Sequence, residues 1–170
     1  GFQSGPLINY LALLGWNPGN DNEIMDLKEL ISLFNMQKVQ RKSAVFDPKK
    51  FNWINSQYLS KENPTSILSS IRNIDSNWGI NKEDDYCFNV INLMKPRSNT
   101  INDIISKSQY CFKKPDTYSA SDHKKVWTDQ TGEILKNTIL FFENIEFDKS
   151  QILENLFKNF IKTSGLSFGQ

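Results

Sequence analysis

Apolar residues recur along this chain at three- and four-residue intervals, and strand-like alternation is scarce, so the pattern predicts helices throughout. Leu7 to Leu14 reads as a short apolar helix ended by Gly15 and the turn-rich "NPGNDNE". From Asp26, the positions Leu27, Leu30, Ile31 and Phe34 share one helical face. "NMQKVQRKSAV" is basic and aperiodic, and reads as a loop. "DPKKFNWINSQYL" restarts a helix: Asp47 caps it, Pro48 takes the first helical position, and Phe51, Ile54 and Tyr58 line one side. "NPTSILSSIRNI" repeats the device with Asn63 and Pro64.

From about Lys82 a longer helix is expected to turn Tyr86, Val90, Leu93 and Met94 inward. Pro96 stops it, because proline lacks an N–H and disfavours helical geometry in Lys95. Thr100 and Asp103 form a capping-box-like start for the next helix, through Ile101, Ile104, Ile105 and Tyr110. Between these two helices stands Arg97. After the loop "KKPDTYSASD", Ser121 or Asp122 caps a further helix, and Thr128 or Asp129 marks a break within it. The pattern resumes through Ile134, Leu135, Ile139 and Phe142. A last amphipathic helix follows, with Asp148 as cap and Gly165 as stop. The expected class is all-α, a succession of short helices forming a bundle or cage.

Composition narrows the partners. The 170 residues are enough for one domain or two small ones. Twenty basic and 19 acidic residues leave a net charge of +1, so attraction to a polyanion must come from a local patch. Cys87 and Cys111 are too few and too far apart for a disulfide scaffold or a zinc site, which suits a reducing compartment. No apolar run approaches the roughly 20 residues of a membrane span. The chain opens almost directly on an apolar helix and closes on "SGLSFGQ", so a piece of a longer protein is expected.

Catalytic chemistry is sparse. His123 is the single histidine, which excludes a two-histidine metal site and reads as an exposed residue in a helix's first turn. "GWNPGN" has the wrong spacing for a phosphate loop and no following lysine. Glu83, Asp84 and Asp85 sit where acids favour a helix N-terminus. Recognition remains. Lys38, Arg41, Lys42, Lys49, Lys50 and Trp53 combine cations with a flat ring, and Lys50 and Trp53 share a helix face. From the residues alone, Trp53 reads first as core, with the lysines as a wet rim. Arg97 likewise reads first as closing its corner through backbone carbonyls or a nearby carboxylate, though its rigid five-donor fork would also suit a base edge or phosphate. Lys107, Lys113, Lys114, Lys124 and Lys125, around Tyr110 and Tyr118, read as a solvated face.

Four stretches in order, "LINYLALLGW", "AVFDPKKFNWINSQYL", "INLMKPR" and "LFKNFIKTSGLSFGQ", resemble the C-terminal half of a bacterial-type glutamyl-tRNA synthetase, a class I enzyme. The resemblance covers almost the whole chain, with "KKPDTYSASDHKK" the poorest match. It implies the end of the stem-contact domain (1–61), a first anticodon-binding helical subdomain (62–120) and the start of a second (121–170). The family's ATP- and Mg-dependent catalytic half, with its HIGH and KMSKS signatures, is not in this sequence, so no cofactor is expected on this segment and no charging by it alone. The implied partner is tRNA-Glu, with no DNA and no membrane, for a monomer in the cytoplasm or an organelle. By resemblance, Lys50 and Trp53 lie at the inner side of the tRNA near the D stem, with Lys38 nearby, and Lys158 approaches the anticodon loop. Arg97 matches the residue that reads the last anticodon letter and is associated with enzymes that separate tRNA-Glu from tRNA-Gln. Gln57 and Ser60 depart from the family, standing where relatives often carry basic side chains. The rival readings are a helical protein-interaction module without RNA and a synthetase that charges both tRNAs.

Overall fold

A computed structural model describes residues 1–40, 43–145 and 150–165. Arg41, Lys42, the Lys125 side chain and the Asp148 cap lie outside the described residues. The architecture is all-α, and among the described residues the only strand-like pairing is an isolated bridge between Trp16 and Val39. Two compact units appear, residues 1–114 and 115–170.

The first unit contains α1 (Ser4–Gly15), α2 (Leu27–Leu33), α3 (Pro48–Lys61), α4 (Pro64–Ile74), α5 (Asp84–Met94) and α6 (Ile101–Lys107). Side-chain caps define most of the starts. Asp26 and Glu29 form a reciprocal capping box on α2, and Thr100 and Asp103 do the same on α6. Asp47 accepts from the Lys49 and Lys50 amides ahead of Pro48, and Asn63 accepts from Thr65 ahead of Pro64. Each such cap satisfies donors that the first turn would leave orphaned and stabilises the helix by about 1 kcal/mol.

Two buried regions meet along α3. Its N-terminal half sends Phe51 and Ile54 against Tyr10 of α1. Its C-terminal Leu59 joins a larger core with Ile67, Leu68 and Ile71 of α4, Val90, Ile91 and Met94 of α5, and Ile101 and Ile104 of α6. Tyr58 anchors the same helix sideways: its hydroxyl donates to the Met25 carbonyl and lies 3.0 Å from Asn9 Oδ1, which takes the Met25 amide at 2.9 Å. Gly79 turns the chain between α4 and α5 at φ +66°, and a Cβ there would stand 2.6 Å from Cys87 Sγ, so only glycine fits without displacement.

Three expectations shift. The buried stripe of α5 is Cys87, Val90, Ile91 and Met94, whereas Tyr86 and Leu93 are exposed. Both stripes have helical spacing, and packing against α4 and α6 selects between them. Tyr110 is exposed on a 3-10 turn, Gln109–Cys111. Lys95 keeps helical angles (φ −47°, ψ −50°) despite preceding proline. The backbone there tightens to a 3-10 turn, Lys95–Arg97, whose Ser98-to-Lys95 bond at 3.3 Å needs no N–H from Pro96.

The second unit contains α7 (Ala120–Val126), α8 (Thr131–Glu143) and α9 (Ser150–Thr163). Helix α7 starts at Ala120, so Ser121 and Asp122 fall within its span, and the Asp122 side chain lies outside the described residues. His123 is in its first turn, exposed and stacked on Trp127 at 4.9 Å. Residues Trp127 to Gln130 break the helical run, with the Thr128 amide on Thr131 Oγ1 at 2.8 Å. Phenylalanines seam α8 to α9: Phe141 stacks on Phe160 at 4.5 Å and Phe142 lies 5.4 Å from Phe157. Gly165 adopts φ +69° just past α9, the left-handed stop common at helix ends.

Candidate nucleic-acid interface

The corner between α5 and α6 is built almost wholly from backbone held by side chains. Lys95 Nζ reaches the Glu62 carbonyl at 2.6 Å, tying the corner to the end of α3. Asp103 accepts the amides of Asn99 at 2.8 Å and Thr100 at 3.0 Å. Lys107 Nζ donates to the Arg97 carbonyl, and Asn55 Nδ2, on α3, donates to the Asn99 carbonyl. Ser98 is buried beneath. Arg97 itself is exposed, and its guanidinium makes no hydrogen bond or ion pair with another described residue. The neighbouring lysine amines, Lys95 and Lys107, are engaged by carbonyls instead. A fork on a fixed backbone with its donors free suits a planar acceptor arriving from solvent.

The face of α3 is different. Trp53 is 43% exposed, which removes the reading of it as core. One turn earlier, Lys50 pairs with Glu23, both side chains being partly exposed. A polar cleft of about 350 Å³ opens beside this pair, bordered by Asp21 and Glu23. Lys38 Nζ donates to the Pro18 carbonyl at 2.9 Å. The structure therefore brings Lys38 and Lys50 to two points of one loop, residues 17–23, and engages both amines there. Lys158, in the other unit, pairs with Glu154 one turn earlier on α9 and stays exposed.

Two groups of this site were missed in the sequence. Asn55 carries no signal beyond being a polar residue at a position the α3 pattern buries. Lys107 reads as one of many surface lysines until the fold brings it under Arg97. Among the described residues no group of three or more His, Cys, Asp or Glu side chains could hold a metal ion, and no helix is long and apolar enough to cross a membrane.

Comparison with known proteins gives the class of module. Residues 58–170 match the family model of an anticodon binding domain. The chain belongs to the anticodon-binding domain family. Its relatives include the glutamate–tRNA ligases of Flavobacterium johnsoniae, 31% identical over 170 residues, and Porphyromonas gingivalis W83, 32% identical over 169 residues. Those alignments cover 100% and 99% of this chain and 34% of each relative, so the chain spans about a third of their length. Among solved structures, a glutamate tRNA ligase from Elizabethkingia meningosepticum, in complex with its amino acid, superposes with a TM-score of 0.85 at 27% identity, over 99% of this chain and 34% of that one. The glutamate-tRNA synthetase of Elizabethkingia anophelis does so with a TM-score of 0.77 at 27% identity, over 99% and 33%.

Proposed function

We propose that this chain is the tRNA-recognising part of a glutamate–tRNA ligase, and that Arg97 reads the last letter of the anticodon. The observation that carries the reading is the free guanidinium on the braced corner, in a chain whose family is named for anticodon binding. An anticodon base is unstacked and single-stranded, so its pairing edge is open to a side chain. Cytosine presents O2 and N3 as adjacent acceptors, which a donor fork satisfies. Guanine presents N–H donors there and would meet the fork donor to donor. Each well-placed bidentate contact of this type discriminates by about 1–3 kcal/mol.

In this reading residues 1–61 end a stem-contact domain, 62–120 form a first anticodon-binding subdomain, and 121–170 begin a second. Lys50, Trp53 and Lys38 lie along the D-stem side of the tRNA, with lysines meeting phosphates and Trp53 offering a plane to sugar or base. Lys158 supports the anticodon loop. ATP and Mg²⁺ belong to the catalytic portion of the ligase, which activates glutamate for transfer to tRNA-Glu in the cytoplasm or an organelle. The enzyme acts as a monomer.

Two measurements test this. Binding of tRNA to the chain should weaken steeply with salt, because phosphate contacts release counterions; a flat response at low salt would favour a protein-interaction module instead. In the complete ligase, Arg97→Gln should bring the charging rates of tRNA-Glu and tRNA-Gln closer together, and unchanged selectivity would remove Arg97 from base reading.

A further inference from the structure

Resting on that reading, we infer that Asn55 and Lys107 are positioning residues for anticodon selection, fixing Arg97 through its own carbonyl and the backbone that follows it. A guanidinium at the end of a long side chain discriminates only if its own Cα is held, since a small misplacement forfeits bidentate geometry. Two carbonyls define that Cα's frame. Lys107 grips the carbonyl of Arg97 itself, and Asn55 grips that of Asn99, two residues on. Asp103 fixes the intervening amide of Asn99 from the other side.

Asn55 is the more informative of the two. It is 1% exposed, lies 44 residues from its acceptor, and sits on the helix that carries Lys50 and Trp53 two to five positions earlier. Its Oδ1 also receives the Gln3 amide at 3.4 Å. Helix α3 is packed at one end on α1 and at the other into the α4–α6 core, so it cannot shift without disturbing both. Asn55 thereby sets the distance from the stem-facing surface of α3 to the letter-reading fork. Selection at the anticodon becomes a property of α3 as well as of the corner.

The test uses the complete ligase and two tRNA transcripts that differ only in the last anticodon letter, C or G. Asn55→Asp is nearly isosteric and keeps the acceptor for Gln3, but turns the donor facing Asn99 into an acceptor. It should reduce the C-over-G ratio of kcat/KM about fivefold or more, a scale usual for coupling between sites. A merely structural role would lower both rates together and leave the ratio alone. In an Arg97→Gln background the same change should leave the ratio where Arg97→Gln put it. Lys107→Met should also reduce the ratio, and Lys107→Arg should restore it, since a donor to the carbonyl returns. Lys107 is exposed, so these variants decide the matter if Asn55→Asp does not fold. If Arg97→Gln lowers the ratio while neither Asn55→Asp nor Lys107→Met does, the inference is overturned and the base-reading role stands. If Arg97→Gln itself leaves the ratio unchanged, the base-reading role falls and this inference with it.

Discussion

The α5–α6 corner and the outer face of α3 both present cations, yet they hold them in opposite ways. At the corner the lysines spend their amines on carbonyls, Lys95 on Glu62 and Lys107 on Arg97, and the guanidinium is left unengaged. On α3 the lysine is itself engaged, by Glu23, and the exposed group beside it is the uncharged ring of Trp53. A free fork can bind a specific edge at once, whereas a paired ammonium must first exchange a carboxylate for a phosphate. An exposed pair of this kind is worth only about 0–1 kcal/mol, so the exchange is easy but yields little. On the proposed function, this contrast suits the corner to choice between nucleotides and α3 to sequence-independent contact.

The largest effect should come from separating charge from shape at the corner. Arg97→Lys keeps the positive charge and loses the planar fork. The preference for a terminal cytosine in the anticodon should fall by roughly 1–3 kcal/mol, about five- to 150-fold in the kcat/KM ratio, while total tRNA affinity changes little. If affinity dropped and the ratio held, the corner would be a phosphate contact and its contrast with α3 would vanish.

How much of this was readable in advance follows the range of the interactions. Helix starts were legible because caps are local: Asp47 with Pro48, Asn63 with Pro64 and Thr100 with Asp103 each act within three residues. The all-α class and the corner at Pro96 follow from the same short-range chemistry. The buried side of α5 was not legible, since a stripe through Tyr86 and Leu93 and one through Cys87 and Ile91 are equally periodic, and only α4 and α6 choose. Asn55 bonding Asn99 and Lys50 pairing with Glu23 span 44 and 27 residues, and nothing in either segment announces the other. The exposure of Arg97 is likewise a property of the fold.

The α3 face offers two smaller changes of opposite sign. Lys50→Met should weaken binding about equally for every tRNA and reduce the slope of log affinity against log salt by roughly one contact. Glu23→Gln should do the reverse, freeing Lys50 and tightening binding by about 0.2–1 kcal/mol, with the C-to-G ratio unmoved. Nitrocellulose filter titrations across a salt series read both. A change in the letter preference in either variant would mean that α3 takes part in reading through its charges, not only through Asn55.

A last effect, on stability rather than on binding, concerns what keeps α3 in place. Burial pushes the Tyr58 phenol up to about 12, and the nearby charges of Asp26 and Glu29 push the same way. An unfolded chain releases that proton near pH 10. Between these values the folded state binds more protons than the unfolded one, so stability must fall as pH rises. The contribution of Tyr58 is complete below pH 10 and is lost as pH climbs through about 12. Tyr58→Phe removes the hydroxyl's bond to the Met25 carbonyl and should lower stability near pH 8 by about 1 kcal/mol. The gap between wild type and variant should then narrow across pH 10 to 12, measured as the difference between their urea midpoints at each pH. A constant gap would mean the phenol titrates as though exposed, and that packing alone seats α3 against α1.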